Sequence, residues 1–233
     1  IDTVDFQTII DRCLAGQQVY CPQLVFAGGA TQPTQVNVFP LNSAVDSTSG
    51  LDLSATYTHP LLDGAMTWSL NGNYTDQQTR TAQGITYDRA GALGASPDVY
   101  ASGIPKLRAI LAATYQEGLW SLTAQGRFIG SARLTNGPEG QAAIKSASLS
   151  PAGVLTRGDI FGLVDDNSIG AVAYLDLRGS YRIDEHFQIY GAIDNLNNAA
   201  PPAIPSTGGG NGTNQMVYDA IGRAVRVGVR VSD

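Results

Sequence analysis

The side chains able to do chemistry are few and scattered. Cys13 and Cys21 lie close together in DRCLAGQQVYC. A metal site would ask for further ligands nearby, and the two histidines, His59 and His186, are far off in sequence. The spacing suits a local disulfide, persistent in an oxidising compartment and worth about 2–3 kcal/mol for so short a loop; the alternative is two free buried thiols. No serine or cysteine nucleophile stands beside either histidine, so no catalytic constellation is expected. The acids of LVDDN (163–167) could meet Ca²⁺, but adjacent loop carboxylates are ordinarily just solvated. GGGNGTN (208–214) has no P-loop lysine and opens no helix, which makes it a loop tip. No metal, no cofactor and no enzymatic activity are expected.

What remains is a set of charged and amide side chains spaced by two or four: Gln125 and Arg127, Asp176 and Arg178, Arg226 and Arg230. An even spacing puts such groups on one face of a β-strand. The segments carrying them alternate throughout. Trp120, Leu122, Ala124, Gly126 and Phe128 oppose Ser121, Thr123, Gln125 and Arg127; Leu175, Leu177 and Tyr181 oppose Asp176, Arg178 and Ser180; four valines from Val225 to Val231 oppose Arg226, Gly228 and Arg230. The same period appears in LDLSATYTH (51–59), AMTWSLNGNYT (65–75), KLRAILAATY (106–115) and FQIYGAI (187–193), which makes seven strands.

The connections sort themselves. HPLLDG (59–64), EG (117–118) and IDEH (183–186) are short, whereas roughly 76–105, 131–169 and 195–216 are long. Short and long alternate, so all short turns fall at one end of the sheet, the arrangement of a transmembrane β-barrel. On the apolar parity, Tyr57, Trp68, Tyr115, Trp120, Tyr181 and Phe187 lie near the short turns, as an aromatic girdle at a membrane surface would. The opposite parity is Ser, Thr, Asn, Gln, Asp and Arg with almost no Lys, unlike the water-facing side of a soluble sandwich. Charged residues are only 15%, against roughly 25% in soluble domains, and the net charge of −6 argues against a nucleic-acid partner. No apolar run is long enough for a transmembrane helix. In the first 49 residues FQTIIDRCL (6–14) reads as a short amphipathic helix, and QLVFAGG with QVNVFPL as a small hairpin.

IIDRCLAGQQVYC, NSAVDSTSGLDLSATYTHPL, YGAIDNLNNAAPP and YDAIGRAVRVGVRV together resemble the C-terminal part of a TonB-dependent outer-membrane receptor. Gly50-Leu51-Asp52 matches that family's strand start, Asn195-Leu196 its penultimate turn, and Tyr218-Asp219 with Gly222-Arg223 the opening of its last strand. The resemblance implies an all-β, antiparallel transmembrane barrel segment, with short periplasmic turns and long extracellular loops. Residues 1–49 would be an extracellular region and 50–233 the last seven strands, an open curved sheet in isolation. It further implies the outer membrane of a Gram-negative bacterium and uptake of a scarce solute such as a siderophore, cobalamin or saccharide. The partners implied are lipid, a plug domain, the remaining strands, the solute, and TonB through an N-terminal region. A passive porin is the alternative. The inward residues Gln125, Arg127, Asp176, Arg178, Arg226 and Arg230 would meet the plug or the solute, and Tyr87, Tyr100 and Phe161 on the long loops would meet solute. Asp233 takes a lipid-side slot that is usually aromatic in the family.

Overall fold

The computed structural model describes residues 2–3, 6–28, 32–38, 40–41, 44–82, 85–94, 103–136, 166–204 and 212–231. Tyr100, Phe161, Asp165 and Asp233 lie outside the described residues, as does most of GGGNGTN. The chain divides into two compact units, residues 1–46 with 80–86 and residues 47–79 with 87–233.

In the first unit, helix α1 spans Phe6–Leu14. Ile9 and Cys13, one turn apart, share its packed side, and Ile9, Tyr20 and Leu24 form a small buried cluster with Ile10, Cys13 and Val36 against it. The helix stops where Gly16 turns left-handed at φ 86°. The Gly16 and Gln17 amides then donate back to the carbonyls of Cys13 and Arg12, which closes the helix end. Cys13 and Cys21 are joined in a disulfide. Leu24–Val25 pairs antiparallel with Gln35–Val36, the small hairpin expected from the sequence.

The second unit holds all but the outer ends of β1 and β2 among seven long strands: β1 Ala44–Leu61, β2 Gly64–Ala82, β3 Leu107–Glu117, β4 Trp120–Ile129, β5 Val172–Arg182, β6 Phe187–Asp194 and β7 Ala224–Val231. They pair in strict chain order from β1 to β7, with Ile85–Asp88 pairing back onto β2. The sheet is all-β and does not close, as expected of a partial barrel. The first short connection is tighter than the sequence suggested, and the other two keep the expected lengths. Strand β1 absorbs His59, Pro60 and Leu61, leaving a two-residue turn in which Leu62 takes φ 53°. At 183–186 the Asp184 carboxylate accepts the His186 and Phe187 amides, both at 2.8 Å, and fixes the turn.

The two faces of the sheet differ. Leu51, Leu53, Leu111, Leu122, Leu175, Ile189 and the β7 valines stay exposed on one side, Val227 at 78%. The buried core sits instead at the long-connection end, where Leu93, Ile129, Ala132, Leu134, Ile169, Tyr174, Ile204 and Tyr218 pack together. Described residues of the long connections build this core. Ala132–Arg133 pairs with Ser168–Ile169, the Leu93 amide donates to the Arg133 carbonyl at 2.8 Å, and Asn214 Nδ2 donates to the Leu93 carbonyl at 3.0 Å.

Candidate functional site

Register decides what meets on the polar face. Strands β4 and β5 set Gln125 opposite Asp176, Arg127 opposite Tyr174 and Thr123 opposite Arg178. Strands β5, β6 and β7 then set Arg178, Ala192 and Arg226 in one row. Arg127 grips Asp176 with two prongs, Nε to Oδ2 at 2.7 Å and Nη2 to Oδ1 at 3.1 Å. Gln125 Nε2 adds a bond to Oδ2 at 3.1 Å, and the Asn195 backbone amide donates to Oδ1 at 2.9 Å. Asp176 is thus buried with its carboxylate fully engaged, as a buried charge requires. Arg127 also lies over the Tyr174 ring, 5.0 Å from its centroid, and reaches Asp219 at 3.6 Å.

A second cluster adjoins the first. Arg178 approaches Gln125 Oε1 at 3.4 Å and Asp194 at 3.5 Å. Arg226 contacts the same Asp194. Arg230 Nη1 reaches Gln188 Oε1 at 3.5 Å. All six inward residues named from the sequence therefore lie on one face of β4, β5 and β7, and four of them, Gln125, Arg127, Asp176 and Arg178, form one hydrogen-bonded set.

Sequence reasoning missed the groups that link them. Asp194 carried the signal of being on the inner parity of β6, and Asp219 that of the Tyr-Asp pair. Asn195 gave no sign of its burial. Its side chain bridges the Ala199 amide and carbonyl at 2.9 and 3.0 Å, while the Leu196 amide bonds the Leu175 carbonyl at 2.6 Å. The Asn-Leu pair thereby folds the turn back onto β5.

Toward β1 the polar face is mostly neutral, with Asp52 and Arg108 among its hydroxyl and amide groups. Thr58 bonds Thr67, and Thr114 bonds Thr123, both at 2.9 Å. Ser54 bonds Asn71 at 3.0 Å, and Asn73 donates to Asp52 at 2.6 Å. The opposite, apolar face carries Tyr57, Trp68, Tyr115, Trp120, Tyr181 and Phe187 at the short-turn end. Tyr115 and Trp120 rings lie 5.2 Å apart, Tyr181 pairs with Trp120 across β4 and β5, and Trp68 Nε1 donates to His59 Nε2 at 3.4 Å. Among the described residues no group of His, Cys, Asp or Glu could hold a metal ion. Asp166 of LVDDN instead accepts the Ser168 amide at 2.9 Å. Tyr87 lies on the short strand Ile85–Asp88.

A family model described as "TonB dependent receptor-like, beta-barrel" matches residues 14–196. The chain belongs to this family. Among solved structures, this TonB-dependent receptor barrel is similar to a mutant ferric enterobactin receptor from Pseudomonas aeruginosa in complex with enterobactin, at TM-score 0.47 and 17% identity over 86% of this chain and 23% of that one. Another mutant of that receptor gives TM-score 0.46 and 16% identity over 79% and 22%. The copper transporter OprC gives 0.33 and 16% over 83% and 29%. The chain thus spans less than a third of the length of each. No curated protein matches it.

Proposed function

We propose that this chain forms the last part of the barrel wall of an outer-membrane active-transport receptor, energised through TonB and importing a scarce solute such as a siderophore, cobalamin or saccharide. The observation that carries the reading is the two-sidedness of one sheet: an uncovered apolar face with aromatic rings at the short-turn end, backed by an ion-paired polar face. Lipid would cover the first, and water, plug and solute the second. Strands of 10 or 11 residues such as β3, β4 and β5, tilted near 45°, cover about 24 Å, the height of an outer-membrane apolar band.

On this reading Tyr57, Trp68, Tyr115, Trp120, Tyr181 and Phe187 form the periplasmic girdle. The inward side chains from Gln125 to Arg230 line the lumen, and residues 1–49 with their cystine lie outside the cell. The remaining strands, the plug and the TonB-contacting region would belong to the complete receptor. Uptake by cells carrying the complete receptor gene tests the proposal. Loss of uptake on deleting TonB or collapsing the proton gradient is expected, and undiminished uptake would assign the chain to a passive porin.

A further inference from the structure

The polar wall between β4 and β7 contains a recess of about 300 Å³ lined by Arg178, Arg230, Ser121, Ser180, Gln188 and Tyr190. Its charge is unbalanced. Arg178 and Arg226 lean on the one carboxylate of Asp194. Among the described residues Arg230 meets no carboxylate, only the Gln188 amide oxygen. Two guanidiniums therefore share one acid, and Arg230 has none among the described residues. The adjoining set is the reverse, with Arg127 held between Asp176 and Asp219. The recess lining itself carries two guanidiniums, Arg178 and Arg230, and no acid.

The remaining lining supplies donors. Ser121 and Ser180 hydroxyls bond each other at 2.9 Å; one donates to the other, so a second hydroxyl proton stays available for an outside acceptor. Tyr190 is placed by a missing side chain. It faces Gly228 across β6 and β7, and a Cβ at Gly228 would sit 2.4 Å from the ring's Cζ and Oη. Glycine here lets the phenol lie close against the β7 backbone at Gly228. Forked guanidiniums, a phenol and a serine hydroxyl converging on one space suit the several oxygens of a small anion.

We propose that this recess binds a free carboxylate- or phosphate-bearing anion, the charged group of a solute moving along the wall. The proposal rests on the inner-face reading above. The complete receptor, purified in detergent, is titrated calorimetrically with inorganic phosphate at about 0.02 M and about 0.2 M salt, a range over which charge screening rises strongly. Saturable binding is expected, weaker at the higher salt. It should weaken about tenfold or more in Arg230→Gln and in Arg178→Gln. It should survive in part in Arg230→Lys, and be unchanged in Arg108→Gln, which removes an inward arginine on β3. Circular dichroism and heat-modifiable gel migration check that each variant is folded.

Equal binding in Arg230→Gln overturns the proposal. So does absent binding in the wild type, the result expected if an acidic side chain of the polypeptide filling the barrel occupies the recess. A receptor that fractionates with the outer membrane and binds no phosphate sinks this inference alone. One that fractionates with soluble proteins sinks the transport reading as well.

Discussion

Arg127 and Asp176 meet diagonally across β4 and β5 in a two-pronged contact, although Asp176's side chain is 2% exposed and Arg127's 31%. The pair does more than join two strands. Through Asp176 it holds the Asn195 amide at the end of β6, and through Arg127 it reaches Asp219, which leads into β7. Four consecutive strands are tied at one point on the polar face.

Asp176→Asn should cost about 2–3 kcal/mol, less than for a fully buried pair because Arg127 keeps some contact with water. Urea unfolding of the complete receptor in detergent measures it. A double-mutant cycle with Arg127→Gln should give a coupling of about 1 kcal/mol or more; independent effects would show that the contact is incidental.

Gly50 is needed for close approach. A Cβ at this position would lie 2.3 Å from the Tyr74 carbonyl oxygen and 3.1 Å from the Thr75 Cα, both backbone atoms that cannot swing aside. Gly50→Ala is expected to cost about 1–3 kcal/mol through overpacking and to lower the yield of folded receptor. Gly72→Ala, whose Cβ would find only ordinary contacts at 3.9 Å, should be tolerated. Equal yields for the two would contradict this account.

Tyr218 is buried at the long-connection end, outside the strands, and its hydroxyl has no hydrogen-bond partner among the described residues. Burial, with repulsion from the Tyr174 phenol, pushes it up to about 12 from 10.0. Because the folded value is the higher one, its contribution is complete below about pH 10 and is lost as pH rises through 12. Tyr218→Phe should be neutral or up to about 1 kcal/mol stabilising at pH 7, and should soften the alkaline loss of stability. A marked loss at pH 7 would reveal a partner for the hydroxyl.

The cystine gives a separate test. Alkylation of the denatured, unreduced protein should label neither Cys13 nor Cys21, and reduction should expose both. Cys13→Ser should loosen the region around α1 by about 2–3 kcal/mol, visible as faster proteolysis between residues 6 and 28, with little change in unfolding of the strands.

Strands were legible where the two faces differ chemically, as in Trp120–Phe128 and Val225–Val231. Period two fails at both ends of the first hairpin. In TDQQTRTA (75–82) both parities are polar, so nothing in the sequence marked the extension of β2 to Ala82. The disulfide was readable from spacing because its loop is local. The Arg127–Asp176–Asp219 tie was not, since it depends on register between strands some fifty residues apart and on a turn folding back over Asp176. Parity named the residues; pairing decided their partners.

The central claim is that one face of this sheet meets lipid and the other the aqueous interior. Spin labels placed singly at residues 225 to 231 of the complete receptor in bilayers measure it directly, through relaxation by oxygen, which concentrates in lipid, against a water-soluble nickel chelate. Oxygen accessibility should peak at Val225, Val227, Val229 and Val231, and nickel accessibility at Arg226, Gly228 and Arg230. A flat profile, or one of opposite phase, would contradict the account.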